Sequence, residues 1–449
     1  MIIKLFLIAG KHGYFYFMVI IYSHTISPRL RYITHFIFKM LLGIDCRLTI
    51  DSQEFINTYG LKINYSTDIF TSEEVHLVNN ELLFEQDIKE QQIDCFETNN
   101  YPAFFKTENS DFPFDVFAAS FYLLSRYEEY LPHKKDMYDR YAHENSLAFK
   151  SNFLNLPLIN IWVKDFAQLI QRTFPYFTVE PPTATRLGAF LPTYDIDIAY
   201  SFLHKGMMRN MGSFLKASSM LRLKVLLGLQ QDPFDSYNWL NSLHQRHSLK
   251  AHYFFLVAEK TGVYDKNILP HKQAMWKLVK KHAKRYTVGI HPSWQSGDRL
   301  PLLVAEKELL EAMAEKKITS SRQHYIRFNL PDGYRRLISA GITDDYSMGY
   351  GSINGFRASV ASSFYWYDLE KDEQSDLLIH PFCFMEANSF YEQHLSTLQA
   401  LDEMRQYYKI CKAANGTFIS IWHNNFLGTD PQFARWRDIY KEFIDEINQ

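Results

Sequence analysis

The pattern of apolar and polar positions changes along the chain near residue 180. Before that point, short apolar runs such as Met18–Tyr22 and Leu61–Tyr65 predict strands. The stretches Asp115–Tyr130 and Asn160–Thr173 carry apolar side chains at helical spacing and predict helices. The sequence therefore predicts a mixed α+β domain over residues 1–180.

Strands and helices alternate after a proline-containing linker at Pro175–Pro182. The predicted strands are Leu187–Tyr194, Ala251–Val257, Thr287–His291, Gln323–Phe328 and Thr417–His423. The predicted helices are Leu215–Gly228, Ser236–Arg246, Lys272–Arg285, Leu302–Lys316, Gly333–Ala340 and Leu395–Cys411. This alternation predicts a parallel α/β sheet or barrel over residues 181–449. In a barrel the chemistry sits where strands end, so strand ends are the places to search for a site.

The amino end predicts a strand and a capped helix rather than a membrane span. Met18–Tyr22 reads as a strand, and Ser27 with Pro28 marks the start of the next helix. The apolar stretches before Met18 are broken at Lys11–Gly13, and no run reaches the ~18 apolar residues that a span needs. We therefore expect no spanning helix and a cytoplasmic protein, with secretion or membrane association as the open alternatives.

Composition narrows the class of protein. The chain has 449 residues, of which 47% are hydrophobic and 22% charged, and this favours two or three globular domains and excludes a disordered tail or a fibre. With 48 Lys+Arg against 50 Asp+Glu, no strong field for nucleic acid or anionic lipid exists. The four cysteines share no CxxC spacing, so neither a zinc knuckle nor a disulfide framework is indicated. Aromatic residues reach 16%, which suits either core packing or a sugar-binding cleft.

Two carboxylates follow the first strand after the linker. Alternation places Asp195 and Asp197 on the same side of that strand. Two carboxylates that end an apolar strand are costly unless they bind a metal or share a proton. The alternative is a pair of aspartates that cap a turn.

Further polar residues stand at later strand ends. His291 precedes Pro292, which favours an extended backbone, so this imidazole is a candidate ligand or a structural histidine. Arg322 and His324 share a side by the period-two rule, with a surface ion pair and a stray histidine as the alternative. His423 ends an apolar strand, where it is a candidate general acid or a core histidine.

Taken in chain order, these residues resemble the motifs of the polysaccharide deacetylase family, also called the NodB-homology family of carbohydrate esterases. Thr193–Asp197 is similar to its T-F-D-D or F-D-x-D motif, and His291–Ser293 to its second motif. Arg322, followed by a helix and a Tyr-Asp stretch, resembles the third motif. Ile419–His423 resembles the last. The resemblance covers roughly residues 187–425.

The chain also departs from that pattern. Gln295 stands where the second motif usually carries another histidine, and Lys205–Trp239 lengthens the gap between the first two motifs. Gly355–Ser359 is a second stretch that resembles the third motif. The first third resembles the accessory domain that precedes such modules in Bacteroidetes-type sequences, most clearly at Ser125–Tyr130.

The resemblance implies a deformed (β/α) barrel preceded by an α+β domain of unknown function. It implies a hydrolase that cleaves a carbon–nitrogen, non-peptide bond to remove N-acetyl groups from a polysaccharide or glycan. Asp197 and His291 would hold a divalent metal, with zinc expected. Asp195 would act as general base and His423 as general acid, with Arg322 orienting Asp195.

The third metal ligand is the open point. We expect His324, because alternation points it the same way as Arg322, and Tyr325 would then face the barrel wall. Gln295, another residue or no third ligand are the alternatives. Two rival functions also stay open: a catalytically inactive carbohydrate-binding relative, and a hydrolase of a small amide.

Overall fold

The computed structural model describes residues 18–175, 189–205 and 220–448. We call residues 18–175 the first region and the remainder the second region. The main sheet of the first region has four parallel strands in the order β2-β1-β3-β4. These strands are β1 (Met18–Tyr22), β2 (Asp45–Thr49), β3 (Leu61–Tyr65) and β4 (Val75–Leu77). An antiparallel pair follows, made of β5 (Phe96–Thr98) and β6 (Tyr101–Ala103).

Helices of the first region pack around these strands. They are Pro28–Thr34, which continues into the π-helix His35–Leu41, then Ser52–Asn57, Val116–Leu124, Leu147–Lys150 and Leu158–Thr173. The predicted start of the first helix is confirmed, since the Ser27 side chain accepts a hydrogen bond from the backbone N–H of Leu30.

One predicted helix is shorter than its pattern. Asp115 caps it, but the helix ends at Leu124, and a 3-10 turn covers Tyr127–Tyr130. Between them Arg126 takes a left-handed backbone with φ of 56°. Arg126 and Glu129 of this stretch are buried and form an ion pair at 2.8 Å.

The second region is built on a sheet of nine strands in the order β12-β13-β11-β10-β9-β8-β7-β15-β14. The strands are β7 (Phe190–Ile196), β8 (His252–Phe255), β9 (Thr287–Ile290), β10 (Ser320–Ser321), β11 (Asp344–Asp345), β12 (Phe364–Asp368), β13 (Glu373–Ile379), β14 (Phe384–Met385) and β15 (Phe418–His423). Every neighbouring pair is parallel except β12 with β13. A mixed α/β fold on a mainly parallel sheet is therefore confirmed, while closure into a barrel stays a prediction.

Helices lie between the strands of this sheet and after the last of them. They are Met220–Leu226, Tyr237–Arg246, Gln273–Ala283, Leu300–Ala314, Asp332–Ser339, Thr397–Ala413 and Trp436–Ile447, with a π-helix at Asn388–Glu392. Over the described ranges, none of the helices has the length and apolar character that a membrane crossing requires.

The predicted strand Gln323–Phe328 is wrong. The strand at this place is only Ser320–Ser321, and His324–Ile326 forms a 3-10 turn. Tyr325 and Ile326 have φ of 58° and 54°, which ends the extended backbone. The period-two rule therefore does not apply to His324.

The two regions pack directly on each other. The Tyr32 hydroxyl donates to the Tyr365 carbonyl oxygen at 2.7 Å, and Arg29 pairs with Asp372 at 2.9 Å. One continuous set of buried apolar side chains runs through both regions. The predicted boundary near residue 180 lies outside the described residues and stays a prediction.

Candidate active site

The site lies where four parallel strands end. Asp195 is in β7 and Asp197 follows that strand directly. His291 follows β9, Arg322 follows β10, and His423 is the last residue of β15. Because β15, β7, β8, β9 and β10 are neighbours in the sheet, their carboxyl ends bring these side chains together.

The carboxylate of Asp197 is the centre of the cluster. Its Oδ1 lies 3.1 Å from Nε2 of His291, and its Oδ2 lies 3.4 Å from Nε2 of His324 and 3.5 Å from Nε2 of His423. Oδ1 is buried and has no hydrogen-bond partner, although His291 is so near. The ligand atoms of Asp197, His291 and His324 all lie within 4.8 Å of one another. One carboxylate and two imidazoles are a donor set suited to zinc, and the orphaned oxygen fits a cation at this place.

Each imidazole is oriented through its other ring nitrogen. Nδ1 of His291 lies 2.6 Å from the carbonyl oxygen of Arg322. Nδ1 of His324 lies 3.2 Å from Oδ1 of Asp265, and Nδ1 of His423 lies 2.7 Å from Oε1 of Glu386. Donation from Nδ1 to these acceptors leaves each Nε2 facing Asp197, as in histidines that bind metals.

Asp265 and Glu386 were not found from the sequence. Asp265 sits in the irregular segment between β8 and the helix Gln273–Ala283 and also accepts from the backbone N–H of Trp294. Glu386 directly follows the two-residue strand β14, which is too short to show a period. The signal available for Glu386 was a carboxylate directly after the apolar run Phe382–Met385.

Burial and charge act in opposite directions on the ionisable groups. Burial alone would lower the pKa of His324, but the Asp197 carboxylate raises it to about 9. Burial also opposes charge on His423, while Glu386 and Asp197 raise its pKa to about 10. Burial would raise the pKa of Asp197, and His324 with His423 holds it well below its usual range. A divalent cation would replace the His324 proton as the partner of Asp197.

The second carboxylate has a different environment. Nη1 of Arg322 donates to Oδ1 of Asp195 at 2.9 Å, and both side chains are buried. Nε of Arg322 donates to the Tyr346 carbonyl oxygen, and the guanidinium lies 4.4 Å from the Phe254 ring centroid. This charge-assisted pair fixes Asp195 beside Asp197.

A cavity of about 430 Å³ opens onto these groups. Its lining residues include Asp195, Asp197, His291, His324, His423, Tyr325, Tyr391 and Phe426 from the second region, and Tyr138 and Arg140 from the first. Tyr325 was predicted to face away from the site, into the barrel wall. That prediction is wrong, because Tyr325, whose backbone is left-handed, lines the cavity.

Two other candidate residues lie elsewhere. Gln295 is exposed on the turn after β9 and does not line the cavity. Arg357, in the second stretch that resembles the third motif, donates to both carboxylate oxygens of Glu129, at 2.8 and 2.6 Å. Arg322 is therefore the arginine that meets Asp195.

Comparisons with known proteins give distant matches. Residues 19–175 match a family of unknown function (DUF7033). No curated protein matches the chain.

Solved structures match over more of the chain. One of a putative polysaccharide deacetylase from Mycobacterium smegmatis has TM-score 0.38 and 13% identity, covering 60% of this chain and 86% of that one. One of a probable polysaccharide deacetylase from Pseudomonas aeruginosa has TM-score 0.37 and 10% identity, covering 57% and 84%. The carbohydrate deacetylase Agd3 has TM-score 0.36 and 8% identity, covering 66% and 54%. These likenesses are distant, so the function proposed below rests on the site.

Proposed function

We propose that this chain is a metal-dependent hydrolase of the polysaccharide deacetylase type, with a deformed barrel, that removes N-acetyl groups from a glycan. The observation that carries the proposal is the convergence of two imidazoles on the Asp197 carboxylate, next to a separate carboxylate held by Arg322. The motif order described above supports the same reaction.

Asp197, His291 and His324 would hold the cation. When bound, a divalent cation such as zinc lowers the pKa of a water ligand and polarises the acetyl carbonyl. His324 takes the part that the family resemblance gives to a histidine at position 295. Its distance to Asp197 and its orientation by Asp265 support this role.

Asp195 would take a proton from the attacking water. Arg322 occupies its Oδ1, while its Oδ2 lies 3.9 Å from Nε2 of His291 and so borders the ligand cluster. A carboxylate held in this way by a guanidinium stays oriented while it accepts the proton.

His423 would protonate the leaving amine. Its Nε2 faces Asp197, and Glu386 binds its Nδ1. With its pKa raised to about 10, the ring carries the proton at neutral pH. As the carbon–nitrogen bond breaks, this proton goes to nitrogen, and the products are acetate and a free amine.

The site also bears on the two rival functions. Retention of the base, the acid and the ligand cluster favours a hydrolase over an inactive carbohydrate-binding relative. The aromatic side chains that line the cavity, among them Tyr138, Tyr325 and Tyr391, favour a sugar ring over a small amide.

Metal content and acetate release test the proposal together. The full chain, prepared without chelator, is expected to hold about one divalent metal per chain and to release acetate from N-acetylated oligosaccharides. Removal of the metal should abolish release, and its return should restore it. A metal-free active protein would contradict the mechanism, and activity confined to small N-acetyl amides would contradict the glycan.

A further inference from the structure

A turn of the first region reaches the cavity of the second. Residues 136–140, which we call the Asp136 turn, place Tyr138 and Arg140 in the cavity lining. Oδ1 of Asp136 accepts from the backbone N–H groups of Tyr138 and Arg140, at 2.9 and 3.1 Å. Hydrogen bonds within the turn therefore stabilise its conformation in addition to its contacts with the second region.

Arg140 is held in one orientation. Its Nε donates to Oδ2 of Asp136 at 2.6 Å, and its guanidinium carbon lies 4.8 Å from the Tyr138 ring centroid. Only 6% of the residue is exposed. Across the cavity wall, a Cβ added at Gly351 would lie 2.0 Å from Nη1 of Arg140, so a side chain at this position would displace the guanidinium.

The oriented guanidinium binds the turn that carries His324. Nη1 of Arg140 donates to the carbonyl oxygen of Tyr325 at 2.7 Å. Tyr325 and Ile326 both have left-handed backbones, which are unfavourable for an aromatic and especially for a β-branched residue. Such a conformation persists only where its surroundings hold it, and Arg140 is one of the groups that do so.

We propose that Arg140 is a positioning residue of the metal site: by binding the Tyr325 carbonyl, it fixes the turn that points His324 at Asp197. This inference rests on the proposed function, in which His324 is a metal ligand. It gives the first region a defined part in the chemistry, because Arg140 acts through the Tyr325 carbonyl on the turn that carries His324. Groups that orient metal ligands typically change metal affinity ~10–100-fold when they are removed.

A merely structural role makes a different prediction. If Arg140 only anchored the first region to the second, its loss would lower the melting temperature of the metal-free protein and leave the zinc dissociation constant unchanged. If Arg140 positions His324, zinc affinity falls, and the visible spectrum of the Co²⁺-loaded protein changes because the coordination of the metal changes.

The test uses the full chain with zinc and Co²⁺ as probes. Arg140→Gln should raise the zinc dissociation constant ~10–100-fold and alter the Co²⁺ spectrum. Arg140→Lys keeps a charged donor near the carbonyl and should recover part of the affinity. Arg172→Gln removes an exposed arginine at the end of the helix Leu158–Thr173 and should change neither quantity.

A second variant approaches the same contact from the other side. Gly351→Ala puts a methyl group where the Arg140 guanidinium lies and should weaken zinc binding with Arg140 itself retained. Because that methyl group would also lie 3.0 Å from the Tyr325 carbonyl oxygen, it disturbs the contact from both sides. If Arg140→Gln does not fold, unchanged zinc affinity in Gly351→Ala would therefore still overturn the proposal.

The outcomes separate this inference from the reaction. Wild-type zinc affinity and an unchanged Co²⁺ spectrum in Arg140→Gln and Gly351→Ala would overturn the positioning role alone. A wild-type chain that binds no zinc would overturn the proposed function and this inference with it. Zinc binding without acetate release would contradict only the reaction, and the variants' dissociation constants would still decide the role of Arg140.

Discussion

Two clusters of buried charge in this protein differ in how fully their carboxylates are paired. We call Arg126, Glu129 and Arg357 the ion-pair cluster. Oε1 of Glu129 accepts from both arginines, at 2.8 Å each, and Oε2 accepts from Arg357 at 2.6 Å. Burial would raise the pKa of Glu129, but Arg357 and Arg126 lower it to about 2. In the candidate site, by contrast, Oδ1 of Asp197 has no hydrogen-bond partner.

The contrast separates a structural contact from a site. Both clusters pair an arginine with a buried carboxylate. Arg322 of the candidate site and Arg357 of the ion-pair cluster lie in stretches that resemble the same motif. Both carboxylate oxygens of Glu129 accept hydrogen bonds from arginines of this chain, and the pair with Arg357 joins the first region to the second. Asp197 keeps an unpaired acceptor, and its ligand atoms lie within 4.8 Å of those of His291 and His324, which could hold a cation with it. An unpaired carboxylate oxygen beside imidazoles, rather than buried charge alone, indicates the place for a cation.

The largest expected effect is on turnover when the base is removed. Asp195→Asn keeps the shape of the side chain but cannot accept the proton, so kcat should fall by ~10²–10⁴. Metal content and melting temperature should stay near the wild-type values, which calorimetry and metal analysis can show. Normal activity in this variant would show that Asp195 is not the general base, and that its pair with Arg322 is a structural contact like that of Glu129 with Arg357.

The next effect is on stability and should be confined to the ion-pair cluster. Arg357→Met leaves Glu129 buried with one arginine instead of two, and breaking a buried pair in this way typically lowers the free energy of unfolding by ~3–5 kcal/mol. Denaturant unfolding measures the loss. Zinc affinity should be unchanged, and a large loss of zinc would show that the two clusters are not independent.

A smaller effect concerns the acid and its pH dependence. The rate should fall on the alkaline side, as His423, with its pKa raised to about 10, loses its proton. His423→Ala should lower kcat by ~10² and remove that limb of the profile. Glu386→Gln takes away the carboxylate that raises this pKa, so the limb should move to lower pH. A limb that stays in place in both variants would assign it to another group.

Sequence reasoning proposed most residues of the candidate site because the carboxyl ends of parallel strands lie at one edge of a sheet. Asp195, Asp197, His291 and His423 each stand at or just after the end of a strand, so the strand pattern singled them out and the motif resemblance grouped them. Arg322 was chosen over Arg357 by its motif, and the structure separates the two by their partners.

His324 was expected for a reason that does not hold. The predicted strand Gln323–Phe328 does not form. His324 instead begins a 3-10 turn in which Tyr325 and Ile326 have left-handed backbones, and no sequence pattern predicts such a turn. The same turn made the expectation for Tyr325 wrong. The local sequence also did not predict the contact of Arg140 with Tyr325, since 185 positions separate the two residues.

Two elements of the second region were missed. Trp436–Ile447 was not predicted as a helix, yet its buried residues recur at helical spacing. The hairpin β12–β13 was also missed, and its second strand begins with exposed polar residues that hide the alternation. Neither element supplies a candidate catalytic or ligand residue, so these omissions left the site prediction unaffected.

The central claim is that Asp197, His291 and His324 hold a metal, and metal content tests it most directly. The measurement compares bound zinc in the wild-type chain, in His324→Ala and in Gln295→Ala. We expect about one zinc per chain in the wild type and in Gln295→Ala, because Gln295 is exposed outside the cavity. His324→Ala should lose most of the metal. Full zinc retention in His324→Ala, or no zinc in the wild type, would contradict the account.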